Sequence, residues 1–109
     1  MKEDAMQRLY DTVVSRRENG TEGSYTSYLF EMGLDKILKK CGEECSEVII
    51  AAKNNSHGET VMEISDLLYH LTVLMVNQGI TLEEINEELA HRSEKTGNLK
   101  KLHIVDKNT

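Results

Sequence analysis

The sequence predicts an all-α protein: a small bundle of four to five helices built around a central antiparallel helix hairpin. Three observations predict it. Apolar residues recur at spacings of three and four through most of the chain, which is the pattern of a helix face. The 109 residues contain no proline, so nothing interrupts long helical runs. Stop signals at Asn19-Gly20, Gly33, Asn54 to Gly58 and Gly79 divide the chain into helix-sized pieces.

In the first piece, Met6, Leu9, Tyr10, Val13 and Val14 set a helix from Glu3 to about Arg17, closed by Glu18-Asn19-Gly20. Thr21 to Ser24 is a polar link. Ser24 or Thr26 then caps a short helix carrying Tyr28, Leu29 and Phe30, which Gly33 ends. Asp35 opens a long helix reaching about Lys53. Its apolar stripe reads Leu34, Leu38, Cys41, Cys45, Val48 and Ala52, and Ile50 lies well off that stripe. The next helix, about Glu59 to Gln78, carries Val61, Ile64, Leu67, Leu68, Leu71, Leu74 and Met75 over more than half its circumference. Such a helix is expected to be central and touched on several sides. Thr81 and Glu84 have capping-box spacing for a last helix, about Leu82 to Glu94, with Ile85 and Leu89 inward. Residues 1–97 read as one domain, and 98–109 as a loosely ordered basic tail.

A net charge of −6, from 19 acids against 13 lysines and arginines, argues against a nucleic-acid or membrane-surface binder. The most apolar run, Leu67 to Val76, is too short to span a bilayer, and the N-terminus lacks the apolar core of a signal peptide. Cys41 and Cys45 have neither redox nor zinc-knuckle spacing, and read as reduced core thiols of a cytoplasmic protein. The apolar excess on the third long helix predicts a homodimer or higher homo-oligomer.

The acids are the chemically informative residues. Glu44 and Glu47 stand three apart on one helix, beside Glu43; Glu63 and Asp66 stand three apart on the other. Residues so spaced share a face. If the short break folds the helices back on each other, a rise of about 1.5 Å per residue brings both pairs to roughly the same height. Ionised carboxylates taken from water cost several kcal/mol each unless something offsets their charge. Lysines, protons or a hard divalent cation are the possible partners, and Mg²⁺ favours oxygen ligands with water in the rest of its shell. Zinc is disfavoured for want of Cys or His at ligand spacing, and no Glu-x-x-His motif of the ferritin-like kind is present. Lys36, Lys39 and Lys40 form a basic cluster suited to phosphate. His70, four residues after Asp66, either orients a carboxylate, touches substrate, or is a satisfied histidine on a packed helix.

The spacing Glu44-x-x-Glu47, fifteen residues, then Glu63-x-x-Asp66 resembles the MazG-like superfamily of all-α nucleoside-triphosphate pyrophosphohydrolases. The fuller runs GSYTSYLFEMGLDKILKKCGEECSEVIIAAKN, EISDLLYHLTVLM and GITLEEINEELAHR resemble the phosphoribosyl-ATP pyrophosphohydrolases of histidine biosynthesis, over about Leu9 to Arg92. That resemblance implies Mg²⁺-dependent cleavage of phosphoribosyl-ATP to phosphoribosyl-AMP and pyrophosphate, with Mn²⁺ as the alternative ion. Carried over by position, it implies that Glu44, Glu47, Glu63 and Asp66 are metal ligands, with Glu43 among the catalytic acids either as a nearby ligand or as an acid just behind the ligands. Lys36, Lys39 and Lys40 become candidate phosphate contacts. Ser24, Tyr25 and Thr26 fall in a family-like loop expected to close over substrate. Cys41 and Cys45 depart from the expected Val and Ala but are similar in size, and no second, cyclohydrolase domain is expected in these residues. Two other readings share the residues: a housekeeping (d)NTP pyrophosphohydrolase with the same metal site, and a non-catalytic helical interaction module whose acids are a solvated face.

Overall fold

The computed structural model describes residues 4–94. Five helices account for nearly all of them: α1 (Ala5–Glu18), α2 (Tyr25–Met32), α3 (Leu34–Lys53), α4 (His57–Gln78) and α5 (Leu82–Ser93). No strand occurs among the described residues. The all-α class and the hairpin are as the sequence predicts, while the tail 98–109 and the domain boundary at 97 lie outside the described residues.

Each joint has a local cause. Ser24 caps α2, its hydroxyl accepting from the Ser27 N–H at 3.1 Å. Gly33 ends α2 and begins α3 in a single residue, at φ 95° and ψ −176°, a conformation open essentially only to glycine. The short α2 and the long α3 therefore meet at a tight corner. The α3–α4 turn is shorter than expected: α4 begins at His57, leaving Asn54, Asn55 and Ser56 to reverse the chain, with Asn55 left-handed at φ 58°. Gly79 closes α4 in the left-handed conformation, and Thr81 with Glu84 forms the predicted reciprocal capping box of α5.

The core lies where α1, α2, α3 and α4 meet, and consists of Val13, Leu29, Ile37, Cys41, Val73 and Val76. Arg17 ties α1 to this centre by donating to the Val76 carbonyl, with its guanidinium 5.9 Å from the centre of the Phe30 ring. The Tyr10 hydroxyl donates to the Ile80 carbonyl at 2.9 Å and fixes the other end.

Three packing expectations are corrected. On α3 the buried line is Ile37, Cys41 and Ala51, whereas Leu34, Leu38, Cys45 and Ala52 are exposed. Cys45 is thus a surface thiol, and Cys41 alone is a core thiol. On α4 the core side is His70, Thr72, Val73 and Val76, and Val61, Ile64, Leu68 and Leu71 face outward. On α5, Ile85 and Leu89 are not inward, and the helix buries no residue. The cause is shared. Helices this apolar carry two usable faces, and α1 and α2 are short enough to cover only one.

Gly33 supplies a direct test of the corner. An added Cβ would meet nothing within 4 Å, so any cost of Gly33→Ala is backbone strain rather than collision. We expect that substitution to lower stability by about 1–3 kcal/mol. Urea unfolding at fixed protein concentration, with helical circular dichroism retained below the transition, measures it.

Candidate functional site

The α3–α4 hairpin brings together the acids that the sequence places on separate helices. Glu44 from α3, with Glu63 and Asp66 from α4, each offer a carboxylate oxygen, and all three oxygens lie within 4.8 Å of one another. Glu47 lines the same cleft, of about 450 Å³, with Lys40, Glu43, Ser46 and Ile50, but lies outside that tight group. Partial burial pushes the Glu63 carboxyl above its usual range, and Glu47, Asp66, Glu44 and Glu59 push it further the same way. The cleft is a concentration of negative charge short of compensation.

Its nearest cation is already engaged. Lys40 pairs with Glu43 at 3.2 Å on the rim. The hydrogen bond from Lys40 holds the Glu43 carboxyl below its ordinary range, and the Lys40 ammonium is held up in return. Lys36 lies 5.9 Å from the centre of the Tyr28 ring, outside the cleft, and Lys39 does not line it either.

The segment Ser24 to Thr26 is not a loop. Ser24 is the cap of α2, and Tyr25 and Thr26 form its first turn. The Ser24 hydroxyl serves that cap and borders a separate cleft of about 620 Å³ near Arg16 and Thr21. Thr26 is hydrogen-bonded to the Tyr69 hydroxyl. Tyr25 alone of the three reaches toward the acids, close enough for the charges of Lys40 and Glu44 to act on it. Its ring stacks on Tyr28 and Tyr69, with centroids 6.1 Å away in each case.

His70 is 5% exposed, and both its ring nitrogens are used. Nδ1 lies 2.8 Å from the Asp66 carbonyl oxygen and Nε2 lies 3.0 Å from the Tyr25 hydroxyl. Tyr69 was not legible as part of this surround. Its only sequence signal is its place between two apolar residues and His70, which also suits an ordinary core tyrosine.

Comparison with known proteins identifies the family. The family model for phosphoribosyl-ATP pyrophosphohydrolase covers residues 6–93. This chain belongs to the phosphoribosyl-ATP pyrophosphohydrolase family. A phosphoribosyl-ATP pyrophosphatase of Clostridium novyi (strain NT) is 52% identical over 97 residues, spanning 89% of this chain and 88% of that protein. One from Limosilactobacillus fermentum is 58% identical over 87 residues, 80% of this chain and 82% of the relative. The histidine biosynthesis bifunctional protein HisIE of Thermoanaerobacter pseudethanolicus is 65% identical over 83 residues, 76% of this chain and only 38% of that longer protein. No helix among the described residues is long and apolar enough to cross a membrane.

The raised Glu63 carboxyl yields a pH prediction for this pyrophosphohydrolase in chelator. The folded state takes up the Glu63 proton at higher pH than the unfolded chain does. Ionised Glu63 therefore costs stability above its folded pKa, and that cost fades as pH falls through it. Glu63→Gln should be more stable than the parent at pH 7, with the gap closing as the pH falls to the ordinary carboxyl value of 4.5. Paired urea titrations across that range measure the gap, and a gap that widens on acidification would contradict the assigned sign.

Proposed function

We propose that this chain hydrolyses phosphoribosyl-ATP to phosphoribosyl-AMP and pyrophosphate with Mg²⁺, or Mn²⁺, at the Glu44–Glu63–Asp66 cluster, as the second step of histidine biosynthesis in the cytoplasm. One observation carries the reading. Three carboxylate oxygens within 4.8 Å, on two helices, form an all-oxygen donor set in a chain of this family. That set suits a hard divalent cation and not zinc. A cation held there supplies charge neutralisation on the phosphate chain and a more acidic water.

The protein groups then take distinct tasks. Glu44, Glu63 and Asp66 are the direct ligands of this reading, and Glu47 joins them through the water shell that Mg²⁺ keeps. Lys40 can exchange its Glu43 partner for a phosphate oxygen at the cleft mouth, a charge-assisted contact. Glu43 acts by holding that ammonium in place. Lys36 sits further along the same side of α3 and is the second basic candidate. Lys39, Ser24 and Thr26 are given no substrate contact, because their side chains lie away from the cleft or are bonded elsewhere.

The exposed apolar surface supports the assembly part of the proposal. Val61, Ile64, Leu68 and Leu71 follow one another at three, four and three residues along α4, the spacing of a helix-packing seam. Leu38 and Ile49 are exposed on the neighbouring α3, at 46% and 67%, and Leu89 on α5 at 60%. We assign this surface to a second copy of the chain, giving a homodimer whose seam lies away from the acids.

Asp66→Asn and Glu44→Gln are expected to lower kcat by at least about a hundredfold, since each removes a charge on which the metal-bound reaction depends. Helical circular dichroism should be kept, and calorimetric uptake of Mg²⁺ should be lost. The parent enzyme should release pyrophosphate without orthophosphate. Its kcat/KM for phosphoribosyl-ATP should exceed that for ATP or any dNTP by at least about a hundredfold, the worth of a polar contact left unpaired in the poorer substrate. Comparable rates on dCTP or dUTP would move the assignment to a housekeeping nucleotide hydrolase. For the assembly, light scattering should give about twice the 12.4 kDa chain mass, and Leu68→Glu should return the chain to that mass.

A further inference from the structure

His70 is a buried imidazole for which the chemistry above has no use, and its two hydrogen bonds define a direction. The Asp66 carbonyl can only accept, so Nδ1 carries the proton of the neutral ring. Nε2 then presents a lone pair, and the Tyr25 hydroxyl, 3.0 Å away, must donate to it. A phenol has one proton. With that proton committed to His70, Tyr25 offers anything else only an acceptor.

The side chain concerned does not line the cleft of the acids but lies within electrostatic reach of two of its residues, Lys40 and Glu44. Tyr25 is 44% exposed, is braced by Tyr28 and Tyr69, and is near enough to Lys40 and Glu44 to feel both charges. Partial burial raises its phenol pKa more than Lys40 lowers it, so the proton stays on the oxygen. An acceptor in this place cannot bond phosphate oxygens, which are acceptors themselves. It suits a donor, and the donors on a nucleotide nearest to its phosphates are sugar hydroxyls.

We propose that His70 is a positioning residue that fixes the Tyr25 hydroxyl as an acceptor beside the acids, and that Tyr25 thereby binds a ribose hydroxyl of the substrate. The sugar contact rests on the phosphoribosyl-ATP reading above; the lock does not. Tyr25 is thus a sugar-binding residue rather than a phosphate contact, and His70 acts through it. The contact is uniform binding, made in ground and transition states alike, so its loss appears in KM.

Two amide replacements separate the roles of the two nitrogens. In His70→Gln the amide can place its oxygen near the former Nε2 and still accept from Tyr25. In His70→Asn the amide reaches only the former Nδ1 position, keeping the Asp66 bond and losing the lock. Tyr25→Phe and His70→Asn should each raise KM for phosphoribosyl-ATP by about threefold to tenfold with kcat within about twofold, the worth of one neutral hydrogen bond. The double variant should be no worse than either single one, and His70→Gln should stay near the parent. Calorimetric Mg²⁺ uptake should be unchanged throughout. If His70→Asn keeps the parent KM while His70→Gln loses it, the Asp66 tie is what matters and the proposal fails. A fall in kcat at constant KM in Tyr25→Phe would overturn the sugar contact in favour of a role through Lys40. Imidazole ¹⁵N shifts at pH 8 read the lock without substrate. They should show a protonated Nδ1 and an Nε2 resonance that moves in Tyr25→Phe. A proton on Nε2 overturns the lock whatever the activity. No turnover of phosphoribosyl-ATP by the parent would overturn the functional reading and the sugar contact with it, leaving the lock to be decided by those shifts.

Discussion

Like charge held at close range is the constraint that the rest of this molecule accommodates. Glu44, Glu63 and Asp66 bring carboxylate oxygens within 4.8 Å of one another, and Glu47 adds a further charge beside Glu63. No side-chain cation enters that group among the described residues, since Lys40 pairs with Glu43 at the rim. Carboxylates do not gather in this way by their own attraction. They are held by the packing of α3 against α4 and by a reversal of only three residues, Asn54, Asn55 and Ser56. Burial elsewhere in the hairpin opposes the repulsion, so the acids stay together at a cost in free energy.

The second helix has a place in the same scheme. It is too short to be stable alone, and it is pinned by the Gly33 corner, the fully buried Leu29 and two side-chain contacts to α4. Those contacts, Tyr25 to His70 and Thr26 to Tyr69, come from neighbouring residues on each helix. They hold Tyr25 in a cluster of rings with Tyr28 and Tyr69, within electrostatic reach of Glu44. The polar residues that look most available for ligand in the sequence are thereby divided. Ser24 and Thr26 are structural, and Tyr25 is presented.

α3 and α4 also carry a division of labour around their circumference. One side of each meets α1 and α2, one edge holds the acids, and the side with Leu38, Ile49, Ile64 and Leu68 is left exposed by the rest of the chain. With α5 burying nothing, the described residues leave Leu38, Ile49, Ile64, Leu68 and Leu89 exposed. In the proposed dimer that side becomes the centre of the assembly. The edge with the acids lies outside that proposed seam.

Much of this was determined locally and so was legible without coordinates. Helix class, the Ser24 cap, the Gly33 and Gly79 stops and the Thr81–Glu84 capping box depend on residues a few positions apart. The acid pairs were legible because three-residue spacing fixes a common face on any helix. What the spacing left open was which apolar face meets its own chain. Leu38 and Cys45 fit a stripe as well as Ile37 and Ala51 do, and only the docking of α2 and α4 buries the latter. Likewise, nothing local distinguishes Glu47 from Glu44, yet the crossing of two helices brings only Glu44 within 4.8 Å of Glu63 and Asp66. His70 shows the limit most plainly. Its bond to the Asp66 carbonyl is a one-turn contact that helical spacing allows, but its bond to Tyr25 spans 45 residues and exists only because the bundle closes. Periodicity acts along one helix; the choice of partner belongs to the contacts between helices.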